Sequence, residues 1–153
     1  KAREQGKARY LGLSAHSAEA AIALMERFRC DSILFPVNFV NYAQGNFGPQ
    51  ILAKAKEKGV ARMALKALAL TRWPAGAQRT YRKAWYKPVE DRALAEQALR
   101  FTLSEDITAA IPPGEENFYR LALELAARFK PLRGQEREEL LASTKGIEPI
   151  FRA

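Results

Sequence analysis

Few side chains in this sequence stand where chemistry is usually done, and each follows a short apolar run. The first segment is Gly12-Leu13-Ser14-Ala15-His16-Ser17. Ser14 can donate to or accept from a ligand amide, and His16, the single histidine, can act as a general acid or base. Glu19 is the one carboxylate within a few residues of His16, so a capping or loop role is the simpler reading of that imidazole. With one cysteine no Cys-based zinc site can be built, and with no second histidine a metal site at His16 is the less favoured reading. Lys66 directly follows the apolar run Val60–Leu65. Its ammonium either meets an anionic or carbonyl ligand or points into solvent. Gly114, in Ile111-Pro112-Pro113-Gly114-Glu115-Glu116-Asn117, opens a helix whose free N–H groups could cradle a phosphate. Glu115 and Glu116 would repel that phosphate and suit the helix dipole instead, so plain capping is the simpler reading there. Cys30 reads as inert packing, because reactivity needs an exposed electropositive setting.

The elements that carry these groups alternate. The spacing predicts a strand over 8–13, then a helix that Ser17 caps and Ala20, Ala21, Leu24 and Phe28 face with apolar surface. Ser32–Val37 reads as a second strand ended by Pro36, followed by a polar and aromatic loop over Asn38–Asn46. A helix follows over Phe47–Lys58, with Gly59 as its C-cap. Residues 60–65 read as a third strand, and 69–89 as a long connection holding Pro74, Gly76 and Pro88. Loops of that length are usually functional. A helix over 91–104, a fourth strand over 107–111, a helix over 115–129 and a last helix over 135–143 complete the pattern, after which the tail unwinds. Alternation of this kind predicts parallel strands with right-handed crossovers. Both an open doubly wound sheet and part of an eight-stranded barrel fit, and both bind ligands at the C-terminal ends of their strands.

Composition narrows the partners. The chain has 153 residues, 48% of them hydrophobic and 27% charged, which suits an ordinary globular domain rather than a disordered segment. No apolar run is long enough to span a membrane, and the first residues carry no secretory signal. A lone cysteine demands no oxidising compartment, and a cytoplasmic setting is expected. The formal charge of +8 favours an anionic partner. Its densest cluster, Arg79, Arg82, Lys83, Lys87 and Arg92, is interleaved with Tyr81, Trp85 and Tyr86. Nucleic-acid binders use such mixtures, but a solvated loop with packed aromatics explains this one more simply. Walker A, Gly-x-Gly-x-x-Gly and Gly-x-Ser-x-Gly motifs are all absent.

Taken together, the strand ends resemble those of the aldo/keto reductase family. Gly6-Lys7-Ala8-Arg9-Tyr10-Leu11-Gly12-Leu13-Ser14 resembles the segment at its fifth barrel strand, Ile33–Asn38 its sixth and Gly59–Leu68 its seventh. Ala93–Gly114, with Ile111-Pro112-Pro113-Gly114, resembles the helix and eighth strand that lead to the cofactor loop. Trp85-Tyr86 with Pro88 is similar to a subgroup of these reductases. The likeness spans most of residues 5–129 in order and spacing.

The resemblance implies an α/β fold, the C-terminal half of a (β/α)8 barrel with four β-α units plus a C-terminal helix. It divides the chain into a half-barrel over 1–130 and a helix and tail over 131–153. It implies carbonyl reduction with NADPH in the complete protein, with this half contributing mainly to the cofactor site. Ser14 would contact the nicotinamide amide, and Leu65 stands where many members place an aromatic ring against the nicotinamide. Lys66 and Leu68 would lie near the pyrophosphate, and Gly114 near the adenosine phosphate. Ala15, Leu34 and Tyr119 replace the Asn, Gln and Arg that many members carry, so NADH stays an alternative. The family's catalytic Asp, Tyr, Lys and His belong to earlier strands and would precede Lys1; His16 sits one strand too late to be that histidine. The resemblance therefore implies no catalytic residue and no turnover in this chain alone, and a missing N-terminal half-barrel as partner. The alternative is a non-catalytic half-barrel that serves binding or assembly through its open sheet edges.

Overall fold

The computed structural model describes all of residues 1–153. Its elements are β1 (Gly12–Ser14), α1 (Ala18–Arg27), β2 (Ser32–Pro36), α2 (Phe39–Gly45), α3 (Pro49–Glu57), β3 (Ala61–Leu65), β4 (Ala69–Arg72), β5 (Tyr86–Pro88), α4 (Arg92–Ser104), β6 (Ala109–Ala110), α5 (Glu116–Ala126) and α6 (Gly134–Ser143). Four strands form one parallel sheet in the order β1-β2-β3-β6. The order never reverses. Successive right-handed crossovers that always add a strand on the same side leave every helix on one face, as in a barrel; a doubly wound sheet needs a reversal. Of the two folds open to the sequence, the barrel type is the one observed.

Burial follows from that topology. Ile33, Phe35 and Ala64 point to the helices and are fully buried. Ser14, Leu34, Met63 and Leu65, which share the opposite face by register, are only partly covered. Ile111, just past β6, is 37% exposed. One apolar cluster fills the space between β1–β3 and helices α1 and α3, and a second ties α2, α4, α5 and α6 together. The open face and the β1 and β6 edges have no cover within this chain.

Local signals behave as the sequence predicts at several ends. The Ser17 hydroxyl accepts the Ala20 N–H at 3.2 Å, and Gly59 takes a φ of 66° just past α3, a left-handed turn that suits glycine. Three expectations need correction. Asn38–Asn46 is no loop: α2 forms because the Asn38 carboxamide oxygen accepts the Val40 and Asn41 N–H groups, both at 2.9 Å. The connection over 69–89 folds back as the antiparallel β4–β5 ribbon, with a register shift between Ala69 and Thr71 that hides the pairing from sequence. The first strand is confined to Gly12–Ser14 and the fourth to Ala109–Ala110, although Thr108 and Ile111 still donate to β3 carbonyls at 2.8 Å. After α6 the tail carries no further helix or strand, as expected, yet it packs against the fold. Leu132, Leu140 and Ile150 are almost fully buried, and Arg137 of α6 lies over the Phe101 and Tyr42 rings while pairing with Glu105 at 2.6 Å. No helix is long and apolar enough to cross a membrane.

Candidate functional site

The C-terminal ends of β1, β2 and β3 open onto one mouth, and its frame is polar and buried. Asn38, 1% exposed, caps α2 with its oxygen and donates its Nδ2 to the carbonyls of Lys66, at 3.1 Å, and Ala69. One side chain thus locks the end of β2 to the turn after β3. The Thr102 hydroxyl of α4 donates to the Val37 carbonyl at 2.9 Å and fixes the same end from the helix layer. The Asn41 carboxamide oxygen accepts from the Ile150 and Phe151 N–H groups at 3.1 and 3.3 Å. That pair lays the C-terminal segment across the mouth. Arg72 and Thr71 of β4 add bonds to the Ile150 and Glu148 carbonyls.

Lys66 is the first residue after β3 and has a φ of 65°. A non-glycine in that left-handed region costs about 1–2 kcal/mol, which the Asn38 bond helps to offset. The side chain runs over the mouth, with Nζ 5.6 Å from the Trp85 ring centre and 5.7 Å from that of Phe151. Phe151 stacks on His16 at 4.8 Å with the rings 3° from parallel, and meets Trp85 edge-on at 6.0 Å. Burial disfavours the Lys66 ammonium and lowers its pKa. Burial also lowers the pKa of His16, and the Lys66 charge adds to the effect. Sequence reading left Lys66 open between ligand and solvent; it is partly buried between two rings. His16 is an exposed loop residue, stacked rather than capping.

The remaining expected residues fall into two settings. Ser14, exposed at the end of β1, and Leu65, partly buried at the end of β3, share the open sheet face at the mouth. Leu68 is fully buried and lines an apolar cleft of about 110 Å³ between the β3 and β6 ends, with Leu99, Pro112, Pro113 and Ala122. Gly114 lies past that cleft, with no atom within 4 Å of where a Cβ would stand. Glu115 and Glu116, the acids that weigh against a phosphate, are both engaged. Glu115 accepts the Lys83 N–H at 3.2 Å, and Glu116 pairs with Arg120 at 2.8 Å. No side chain caps α5, so its first N–H groups are left to other acceptors. Leu34 is partly buried on the open sheet face, Ala15 is part of the core and Tyr119 is exposed.

Sequence reading missed Phe151, Asn38 and Trp85 as parts of the mouth. Asn38 carried one visible signal, a capping residue just after a strand. Phe151 carried none. In the basic cluster, Arg79, Arg82 and Lys83 are exposed, while Tyr86 is buried and Tyr81 packs edge-on against Phe118 at 4.9 Å. Cys30 is a buried free thiol whose pKa is raised by burial.

No protein-family model and no curated protein matches the chain. Among solved structures it is similar to aldo-keto reductase AKR11C1 from Bacillus halodurans. With the apo form the TM-score is 0.59 at 17% identity, over 94% of this chain and 53% of that one. With the holo form the TM-score is 0.58 at 19% identity, over 94% and 52%. The chain thus spans about half the length of the solved structures it matches. Its continuous parallel strand order, its helices on one face and this likeness agree: the fold is that of half an aldo-keto reductase barrel.

Proposed function

We propose that this chain is the C-terminal part of an aldo/keto reductase, which reduces carbonyl compounds with NADPH in the complete protein. The observation that carries the reading is the barrel-type sheet, about half of an aldo-keto reductase in extent, whose strand ends hold an ammonium with no carboxylate partner. The donor set fits a dinucleotide. Lys66 offers an unpaired positive charge for a diphosphate, uncapped α5 offers N–H groups beside an unobstructed Gly114, and Ser14 offers an exposed hydroxyl for a carboxamide. When bound, a reduced nicotinamide supplies the hydride. Leu65 and Leu68 would give apolar walls, one at the mouth and one in the cleft. With Tyr119 near the position where many members carry an Arg for the 2′-phosphate, and the adjacent Arg120 paired with Glu116, NADH stays the second candidate.

In this reading the proton donor and its partners come from the other half of the barrel, which also covers the open sheet face and pairs the β1 and β6 edges. A cytoplasmic setting goes with it. The test is direct. Titrating the chain with NADPH and NADH should show binding by nucleotide fluorescence, and a panel of small aldehydes should show no turnover. Absence of binding by either nucleotide would sink the cofactor assignment, and turnover would sink the claim of an incomplete site.

The uncovered sheet face also favours a second reading, a non-catalytic half-barrel acting in assembly. Size-exclusion chromatography separates the two in part, since a stable, cooperative monomer speaks against assembly.

A further inference from the structure

The charge of this chain is concentrated in one segment that the cofactor reading leaves unexplained. Residues 58–89 hold eight lysines and arginines and no aspartate or glutamate. The rest of the chain balances, seventeen cations against seventeen carboxylates, so this segment carries the whole formal charge of +8. The fold then separates the eight. Lys58 and Arg62 pair with Glu57 and Asp106, Lys66 turns to the mouth, and Arg72 donates to the Ile150 carbonyl. Arg79, Arg82 and Lys83 lie in the loop between β4 and β5, and Lys87 lies on β5; no carboxylate pairs with any of the four side chains. The acids that reach this loop are engaged otherwise. Glu90 accepts the Tyr81 hydroxyl at 2.8 Å, and Glu115 accepts the Lys83 backbone N–H at 3.2 Å.

Those contacts also fix the loop, although it has no regular structure. The Trp73 indole N–H donates to the carbonyl of buried Ala84 at 3.1 Å, and Tyr81 packs edge-on against Phe118. Cations displayed on a held frame bind with less ordering cost. Arg79, Arg82 and Lys83 are exposed within five residues, so an anionic partner relieves their mutual repulsion. The rings narrow the kind of anion. Tyr81 and Tyr86 are packed, Trp73 is bonded, and Trp85 turns to Lys66 and Phe151, which leaves these cations without a ring face for base stacking. Thr71 and Arg72 tie β4 to the tail, so the ribbon is not free to enter a duplex groove. Guanidinium forks and an ammonium with neither device suit side-chain carboxylates.

We propose that the β4–β5 loop is a docking surface for an acidic polypeptide segment rich in Asp and Glu, gripped by Arg79, Arg82 and Lys83, with Lys87 adding its charge. This goes beyond the reductase reading and does not depend on it, since none of the four side chains belongs to the cofactor set.

The test is fluorescence anisotropy on the full chain at low salt, with a labelled peptide of alternating Asp and Glu, its Asn–Gln counterpart and an oligothymidylate of equal charge. The acidic peptide should bind at least about tenfold more tightly than the neutral one, and salt should weaken it steeply. Arg79→Gln, Arg82→Gln and Lys83→Gln together should abolish that advantage. Lys7→Gln, Arg27→Gln and Arg29→Gln together remove the same charge from other exposed sites and should leave affinity within about twofold. Circular dichroism confirms that each variant is folded. Equal binding of the two peptides, or equal loss in the two triple variants, overturns the proposal. Tighter binding of the oligothymidylate overturns it in favour of nucleic acid. Displacement of the peptide by NADPH also overturns it, because the loop would then serve the cofactor. Peptide binding by a chain that binds no NADPH upholds the docking surface while removing the cofactor reading.

Discussion

The two ends of the candidate site are built differently. At the β1–β3 mouth, buried polar groups hold the backbone: Asn38 ties two strand ends together, Thr102 reaches in from α4, and Asn41 clamps the C-terminal segment. At the β6 end the ladder is only two residues long, the cleft is apolar, and Gly114 stands in open space. A buried network of this kind favours one arrangement, because each unmade bond carries a desolvation cost, although the Asn41 Nδ2 finds no partner. An apolar cleft beside an uncapped helix asks for much less. The difference teaches that the mouth is pre-organised, whereas the β6 end tolerates change and gains definition from what binds or covers it.

Substitutions can break or sharpen this contrast. Asn38→Leu should have the largest effect, about 3 kcal/mol of lost stability by urea denaturation. It removes the α2 cap and strands two carbonyls at once. A loss below about 1 kcal/mol would mean the network is ornamental. Gly45→Ala comes next. A Cβ there would collide with the Phe151 carbonyl oxygen, so the tail must shift, at a cost of about 1–3 kcal/mol. Limited proteolysis should then cleave near Ile147–Ala153, and an unchanged digestion pattern would show the tail is not clamped there.

The third effect is smaller and shows itself through pH. Burial holds the Lys66 pKa below its ordinary value of 10.5, so the unfolded chain binds more protons in the interval between the two. Stability contributed at this position therefore rises with pH across that interval. Lys66→Met should remove that part of the slope and leave the protein at least as stable at neutral pH, as read from thermal melts. A slope that persists in the variant assigns it to another group. The smallest effect belongs to the other end. Gly114→Ala should change stability by no more than about 0.5 kcal/mol, since its Cβ meets nothing. A larger loss would show that the β6 end is as tightly built as the mouth.

Much of the scaffold was legible because its signals are local. Apolar residues at helical spacing marked α1, α3, α4 and α5, and short apolar runs marked the strands to within a few residues. The helix α2 was not legible. Its polar and aromatic residues show no single apolar face, because Phe39, Val40 and Asn41 are buried on different sides. The β4–β5 ribbon was not legible either, since the segment holding Pro74 and Gly76 reads as a long connection and the pairing depends on a register shift. Leu68 illustrates the limit at a single residue. Its position suggested a ligand contact, and the fold buries it completely as a wall of the cleft.

By itself, the sequence determined the alternation of strands and helices, and capping residues such as Ser17 and Gly59 set their ends. Those features depend on neighbours a few residues away, through caps, periodicity and backbone preference. Tertiary structure alone decided that His16, Lys66, Trp85 and Phe151 share one mouth. They come from a loop, a strand end, the β4–β5 ribbon and the tail. Their meeting follows from parallel crossovers that bring strand ends to one side, and from one buried asparagine, Asn41, that folds the tail across them.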